Sequence, residues 1–299
     1  MGRLIISDPG TAPPHRLRMF ITHRTSYHFP AGAARLLLLL RLWPEPHAGQ
    51  VVRGWSVSVN DEPVLPSARS GHGDNVALWS ASAYPGEIAI LATGTVEAED
   101  KAGLVAGLTV RPNPAIFLRP TMRTRADKAI RELMPAPPAS GATIAWLHDL
   151  MRAVHERLLY VTGSTTVHTS AIEALKDGAG VCQDHSHLFI AAARAHGVPA
   201  RYVCGYLLAD GDHGDLHETH AWAEAWIEGM GWVAFDPSAG ICTTERYVRL
   251  TTGFDALDAA PIRGHATGGG ALGVVADVRI SESVEDGGFE TMLQMQQQQ

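Results

Sequence analysis

Gly178-Ala-Gly-Val-Cys182-Gln-Asp-His-Ser-His-Leu-Phe-Ile-Ala-Ala-Ala-Arg-Ala-His196-Gly197 brings a cysteine out of a glycine-rich turn onto the first turn of an apolar helix. The unpaired N–H groups and the positive dipole end at that position favour a thiolate over a thiol. The pattern predicts a helix over about 182–196, with Gly197 as its left-handed stop and Pro199 just beyond. Further on, His220-Ala-Trp-Ala-Glu-Ala-Trp-Ile227 alternates strictly. It predicts a strand with His220, Trp222, Glu224 and Trp226 on one face and the alanines with Ile227 on the other. A glycine-rich hairpin returns through Trp232-Val-Ala-Phe-Asp236. An odd loop such as Glu228 to Met230 sets Asp236 opposite Trp222 and diagonally beside His220, whereas an even loop turns it to the wrong face. Helices followed by an antiparallel sheet make this half of the chain α+β.

Working outward, Ala200–Leu207 reads as a strand between the cysteine helix and the histidine strand. Upstream, Ile144, Leu147, Leu150, Met151, Val154 and Leu158 recur at helical spacing within Ala142–Leu159. Thr124–Met134 reads as a shorter helix with Thr124 as N-cap and Asp127 at the third helical position. From Leu17 to Ala98 the period changes to two. The segments Met19–Phe29, Leu36–Trp43, Val51–Val59 and Glu87–Val96 are separated by Gly, Pro, Asn and Asp clusters, which predicts an antiparallel β-sandwich or barrel. Nothing in it gathers reactive groups. The expected plan is a tail over 1–16, an all-β domain over 17–111, a proline-marked linker over 112–123 and a catalytic core over 124–255. A C-terminal segment over 256–283 contains a strand at Leu272–Ile280, and a glutamine-rich tail over 284–299 is expected to be disordered.

The bulk properties of the 299 residues narrow the function by exclusion. A net charge of -7 lacks the basic footprint of a nucleic-acid binder. The most apolar short run, Leu36 to Leu40, is far below the ~20 residues that span a bilayer. Residues 1–15 lack the order of a signal peptide, and three cysteines without a CxxC pair form neither a disulfide framework nor a thiolate zinc site. The cytoplasm is therefore the expected compartment, with neither nucleic acid nor membrane as partner.

Fifteen histidines invite a metal reading. However, His185 and His187 diverge at i, i+2 on a helix, and His217-Glu-Thr-His220 is one residue short of HExxH and leads into a strand. Asp210-Gly-Asp212-His-Gly-Asp215 has glycine where a calcium loop places a ligand. No metal or other cofactor is expected. His185 shares a helix face with Cys182 at i+3 and is open as base, substrate contact or supporting group. Cys204, between Tyr202 and Tyr206, reads as a packing thiol.

Taken together, GVCQDHSHLFIAAARAHGVPARYVCGYL, HAWAEAWIEGMGWVAFDPSAG and YVTGSTTVHTS resemble the transglutaminase-like superfamily, in particular its bacterial members with an N-terminal β-domain. The resemblance runs from about residue 17 to 282. It implies a papain-like core of helices packed on an antiparallel sheet, with Cys182 as nucleophile, His220 as base and Asp236 as orienting acid. The implied activity is hydrolysis of peptide or isopeptide amides in a peptide or protein substrate, or transfer of a glutamine acyl group to an amine, or binding without catalysis on the same fold. The Cys182 backbone N–H is a natural oxyanion donor at a helix start. The candidates for the second donor, or for support of the site, are Gln183, His185 and Trp222.

Overall fold

The computed structural model describes residues 16–209, 219–268 and 273–282. The N-terminal region contributes β1 (Arg16–Leu40), β2 (Gln50–Val59), β3 (Glu62–Pro63), β4 (Ala68–Arg69), β5 (Asn75–Glu99) and β6 (Leu104–Val105). The middle holds the helices α1 (Lys128–Arg131) and α2 (Ile144–Arg157), then β7 (Leu159–Tyr160), α3 (Ala171–Asp177), β8 (Ala179–Gly180) and α4 (Cys182–Ala195). The remaining strands are β9 (Ala200–Leu207), β10 (His220–Ile227), β11 (Gly231–Asp236), β12 (Ile241–Cys242), β13 (Tyr247–Gly253), β14 (Ile262–Thr267) and β15 (Gly273–Glu282).

Two 25-residue strands, β1 and β5, dominate the N-terminal sheet and pair antiparallel along almost their whole length. Here the sequence reading is corrected: Met19–Phe29 and Leu36–Trp43 are not separate strands, and neither is Glu87–Val96. The register shifts between Phe29 and Ala33, where Gly32 and Gly86 have positive φ. These glycines bend the ladder without ending it, because pairing resumes beyond them. β15 pairs with the first limb of β1 and β14 with the second. Met19 and Ile21 from one limb and Leu36, Leu38 and Leu40 from the other enter one apolar core with Ile88 and Ile90 of β5.

The second sheet runs β12-β11-β10-β9-β13, with β6 pairing onto β11. Its α4-facing side is lined by Ala221, Ala223 and Ala225, which meet Leu188, Phe189, Ala191 and Ala192. Small residues on both elements bring the helix close to the sheet. The other side carries Val203, Trp222, Ala234 and Trp232. Phe117, in the 3-10 turn Pro114–Leu118, is fully buried against Trp232, so the proline-marked stretch is anchored.

α1 is shorter than expected and is capped by Asp127, whose Oδ1 accepts the Ile130 N–H at 2.9 Å. Thr124 is not the N-cap. Its hydroxyl is buried and accepts a hydrogen bond from Arg194 at 2.8 Å. α3 has no counterpart among the predicted helices, although Ser170 and Glu173 form a capping box that its sequence spells out. β13 is likewise absent from the predicted strands. Among the described residues no helix is long and apolar enough to cross a membrane. The expected tails, the Asp210–Asp215 loop, His217 and Leu272 lie outside the described residues.

Candidate active site

Val181 is the N-cap of α4 and Cys182 its first residue, partly exposed. An apolar N-cap offers no side-chain acceptor. Asp184 therefore caps from within, its Oδ2 accepting the Val181 N–H at 2.9 Å and the Thr165 hydroxyl at 2.6 Å. Gly180 makes this possible, because a Cβ there would lie 2.6 Å from the Asp184 Cβ. The N–H groups of Cys182 and Gln183 belong to the first turn and have no acceptor within the helix.

β10 and β11 pair as Ala223 with Phe235 through to Ile227 with Gly231, leaving the three-residue turn Glu228–Met230. Gly229 in this turn and Gly231 directly after it take positive φ. The loop is odd, and the same register continued sets Asp236 opposite Trp222. His220 Nε2 donates to Asp236 Oδ2 at 2.6 Å. The Cys182 sulfur acts on the same imidazole, joining Asp236 in favouring the protonated ring. With Nε2 engaged by Asp236, Nδ1 is the nitrogen that remains for the sulfur. Cys182, His220 and Asp236 are thus brought to one site.

Asp236 is fully buried and well satisfied. Its Oδ1 accepts from the Ser238 N–H, the Ser238 hydroxyl and the Ala239 N–H, and its Oδ2 also accepts the Tyr247 hydroxyl at 2.9 Å. Burial alone would raise the carboxyl. The hydrogen bond and positive charge of His220, with the hydroxyls of Ser238 and Tyr247, hold it below its ordinary value. Burial alone would likewise lower His220, but hydrogen bonds to Asp236 and Cys182 and their negative charge push it up to about 10. Desolvation works the other way at the remaining thiols, lifting Cys204 to about 12 and Cys242 to about 11.

The other candidates lie as follows. Trp222 is buried and stacks on His220, with ring centroids 6.2 Å apart. The Gln183 amide points to the Thr166 carbonyl at 3.3 Å. His185 is buried, with Nδ1 2.9 Å from the Val181 carbonyl oxygen and Nε2 3.1 Å from that of Leu158. It sits between the α2 end and the turn before Cys182. His187 points elsewhere, its Nε2 accepting the Ala256 N–H at 3.0 Å, and burial lowers it to about 3. Tyr247 is a site residue that the sequence reading misses. A tyrosine in Glu-Arg-Tyr-Val-Arg carries no motif, and only the sheet brings it to Asp236.

A cysteine at a helix start facing a His–Asp pair on an antiparallel sheet defines a papain-like α+β core. The chain belongs to the transglutaminase-like superfamily: residues 140–237 match that family, and residues 19–97 match the bacterial transglutaminase-like N-terminal region. It is 30% identical over 287 residues to the uncharacterized protein ML0607 of Mycobacterium leprae, covering 87% of this chain and 98% of that one. A protein-glutamine gamma-glutamyltransferase of Pseudomonas aeruginosa is 28% identical over 127 residues, which is 40% of this chain and 18% of that enzyme. A Cytophaga hutchinsonii crystal structure, whose designation as a cysteine protease is provisional, superimposes with a TM-score of 0.69 at 23% identity. That match covers 91% of this chain and 92% of the other, and speaks to fold.

Proposed function

We propose that this protein is a cysteine-dependent hydrolase of peptide or isopeptide amide bonds. Cys182 is the nucleophile, His220 its proton acceptor and Asp236 the carboxylate that orients the imidazole. The observation that carries this reading is the meeting of the α4 start, His220 and the buried Asp236 at one site. In the first step the sulfur, its proton already carried by His220, bonds to the amide carbonyl carbon. The oxyanion forms near the free N–H groups of the first helical turn. The carbon–nitrogen bond then breaks, the imidazolium protonates the departing amine, and a thioester remains. Water, deprotonated by His220, attacks the thioester to release a carboxylic acid and regenerate the thiolate. Asp236 keeps the imidazole oriented and stabilises its cationic form throughout.

Acyl transfer is the second reading. It differs only in the final step, where an amine replaces water, and it is favoured by the name of the Pseudomonas relative. Binding without catalysis on the same fold is the third. Casein incubated with a dansylated alkylamine separates them: hydrolysis yields new carboxylates and shorter chains, transfer yields ammonia and labelled protein, and binding alone yields neither. Cys182→Ala and His220→Ala are expected to abolish turnover with the thermal transition preserved. Asp236→Asn should retain a residue of activity, about 10⁴-fold down. Full activity in Cys182→Ala would sink the proposal.

A further inference from the structure

The segment that borders the nucleophile is unusual for a protein with net charge -7. From Leu158 to Ser170 it contains no Asp, Glu, Lys or Arg. Four of its large apolar side chains face solvent: Leu159 is 70% exposed, Tyr160 55%, Val161 44% and Val167 66%. They are held there by bonds to the residues around Cys182. Leu159 N–H donates to the Gly178 carbonyl at 2.9 Å and Val161 N–H to the Gly180 carbonyl at 3.0 Å, in the parallel β7–β8 pair that leads directly into the nucleophile turn. Thr165 bonds Asp184, Gln183 reaches the Thr166 carbonyl, and Arg123 holds the Val167 carbonyl at 2.9 Å. An ordered strip of exposed apolar surface costs solvation free energy that the core does not recover.

We propose that Leu159, Val161 and Val167 form the wall on which the acyl substrate packs, while Tyr160, on the opposite face of the strand, leans on the His185 ring. The substrate class is then peptides with an uncharged aliphatic or aromatic residue next to the reacting amide. The inference rests on Cys182 being the nucleophile. The bonds from Val161, Thr165 and Thr166 to Gly180, Asp184 and Gln183, the residues on either side of Cys182, decide the occupant. Three side chains supply little of the ~800 Å² that each side of a stable protein interface contributes, but they match the footprint of one or two substrate residues.

Three alkylating probes test the wall directly: iodoacetamide, its N-phenethyl derivative, and the para-carboxylated phenethyl derivative. Labelling of each cysteine is followed by peptide mass spectrometry, and each rate is divided by that of the same probe with N-acetylcysteine. At Cys182 the phenethyl probe should outpace iodoacetamide by about tenfold, and the carboxylated probe should lose that advantage. In Leu159→Ser/Val161→Ser the preference should fall to near unity, with a smaller fall in Val167→Ser. All three positions are exposed, so folding is not at stake. A Cys182 that reacts fast but without preference, or a preference unchanged in both variants, overturns the wall and leaves the nucleophile standing. A Cys182 slower than Cys204 and Cys242 toward every probe overturns both.

Discussion

Asp236 Oδ2 is shared by two donors, His220 and Tyr247, while Oδ1 is saturated by Ser238 and Ala239. A carboxylate held this way has no freedom to rotate, and it fixes which imidazole nitrogen faces the sulfur. Burial first, and then the Asp236 charge, raise the Tyr247 phenol far above its ordinary value, so it stays a neutral donor at any working pH. The consequence for His220 is measurable. Its value is raised from 6.5 in the free side chain to about 10 in the fold. The stability contributed by its cationic form is therefore complete below pH 6.5 and is lost as pH rises through about 10. The difference in thermal midpoint between wild type and His220→Gln, followed from about pH 6 to about 10.5, should shrink over that window. A constant difference would contradict the ion-pair description. Cys182, His220 and Asp236 are legible in sequence because a helix start and a two-strand hairpin are local patterns. Tyr247 is not legible, since its role depends on where β13 joins the sheet.

At the scale of elements, the turn that presents Cys182 is built by subtraction. Gly180 has no side chain, so Asp184 can fold back and cap α4 where Val181 cannot. In Gly180→Ala the new Cβ would meet Asp184 Cβ at 2.6 Å and its Oδ2 at 2.9 Å. The expected cost is about 1–3 kcal/mol in urea unfolding, with slower iodoacetamide labelling of Cys182 as the turn is displaced. Unchanged stability and labelling would show that Asp184 does not hold the turn. The helices α2 and α4 and the strands β9, β10 and β11 are readable because apolar spacing and their stops agree. The 25-residue strands are not, because Gly32 and Gly86 resemble turn signals and only long-range pairing shows that the ladder continues through them. Thr124 misleads for a related reason: a threonine before a helical pattern is a cap only if nothing else claims its hydroxyl, and Arg194 does.

At the scale of the whole molecule, the N-terminal sheet clamps the strand that carries Tyr247. Gln50 on β2 is buried, and its amide accepts the Arg249 N–H at 2.7 Å and donates to the Arg249 and Glu45 carbonyls at 2.9 Å. It thereby serves as a strand partner at the irregularity between Arg249 and Thr251. The Arg249 side chain in turn joins Arg201 in flanking the buried Glu224. Burial would raise Glu224, but the two guanidinium groups bring it down to about 2. Replacing Gln50 with leucine leaves the Arg249 N–H and carbonyl unpaired and should cost about 2 kcal/mol in urea unfolding. A neutral result would mean that the two sheets meet without depending on this amide. The pairing of β1 with β14 and β15 has a consequence for synthesis. Translation delivers β1 early, yet its partners arrive more than 200 residues later. Until then, a nascent chain on the ribosome carries an open sheet edge on both limbs of one of its two longest strands, the kind of surface that holding chaperones shield.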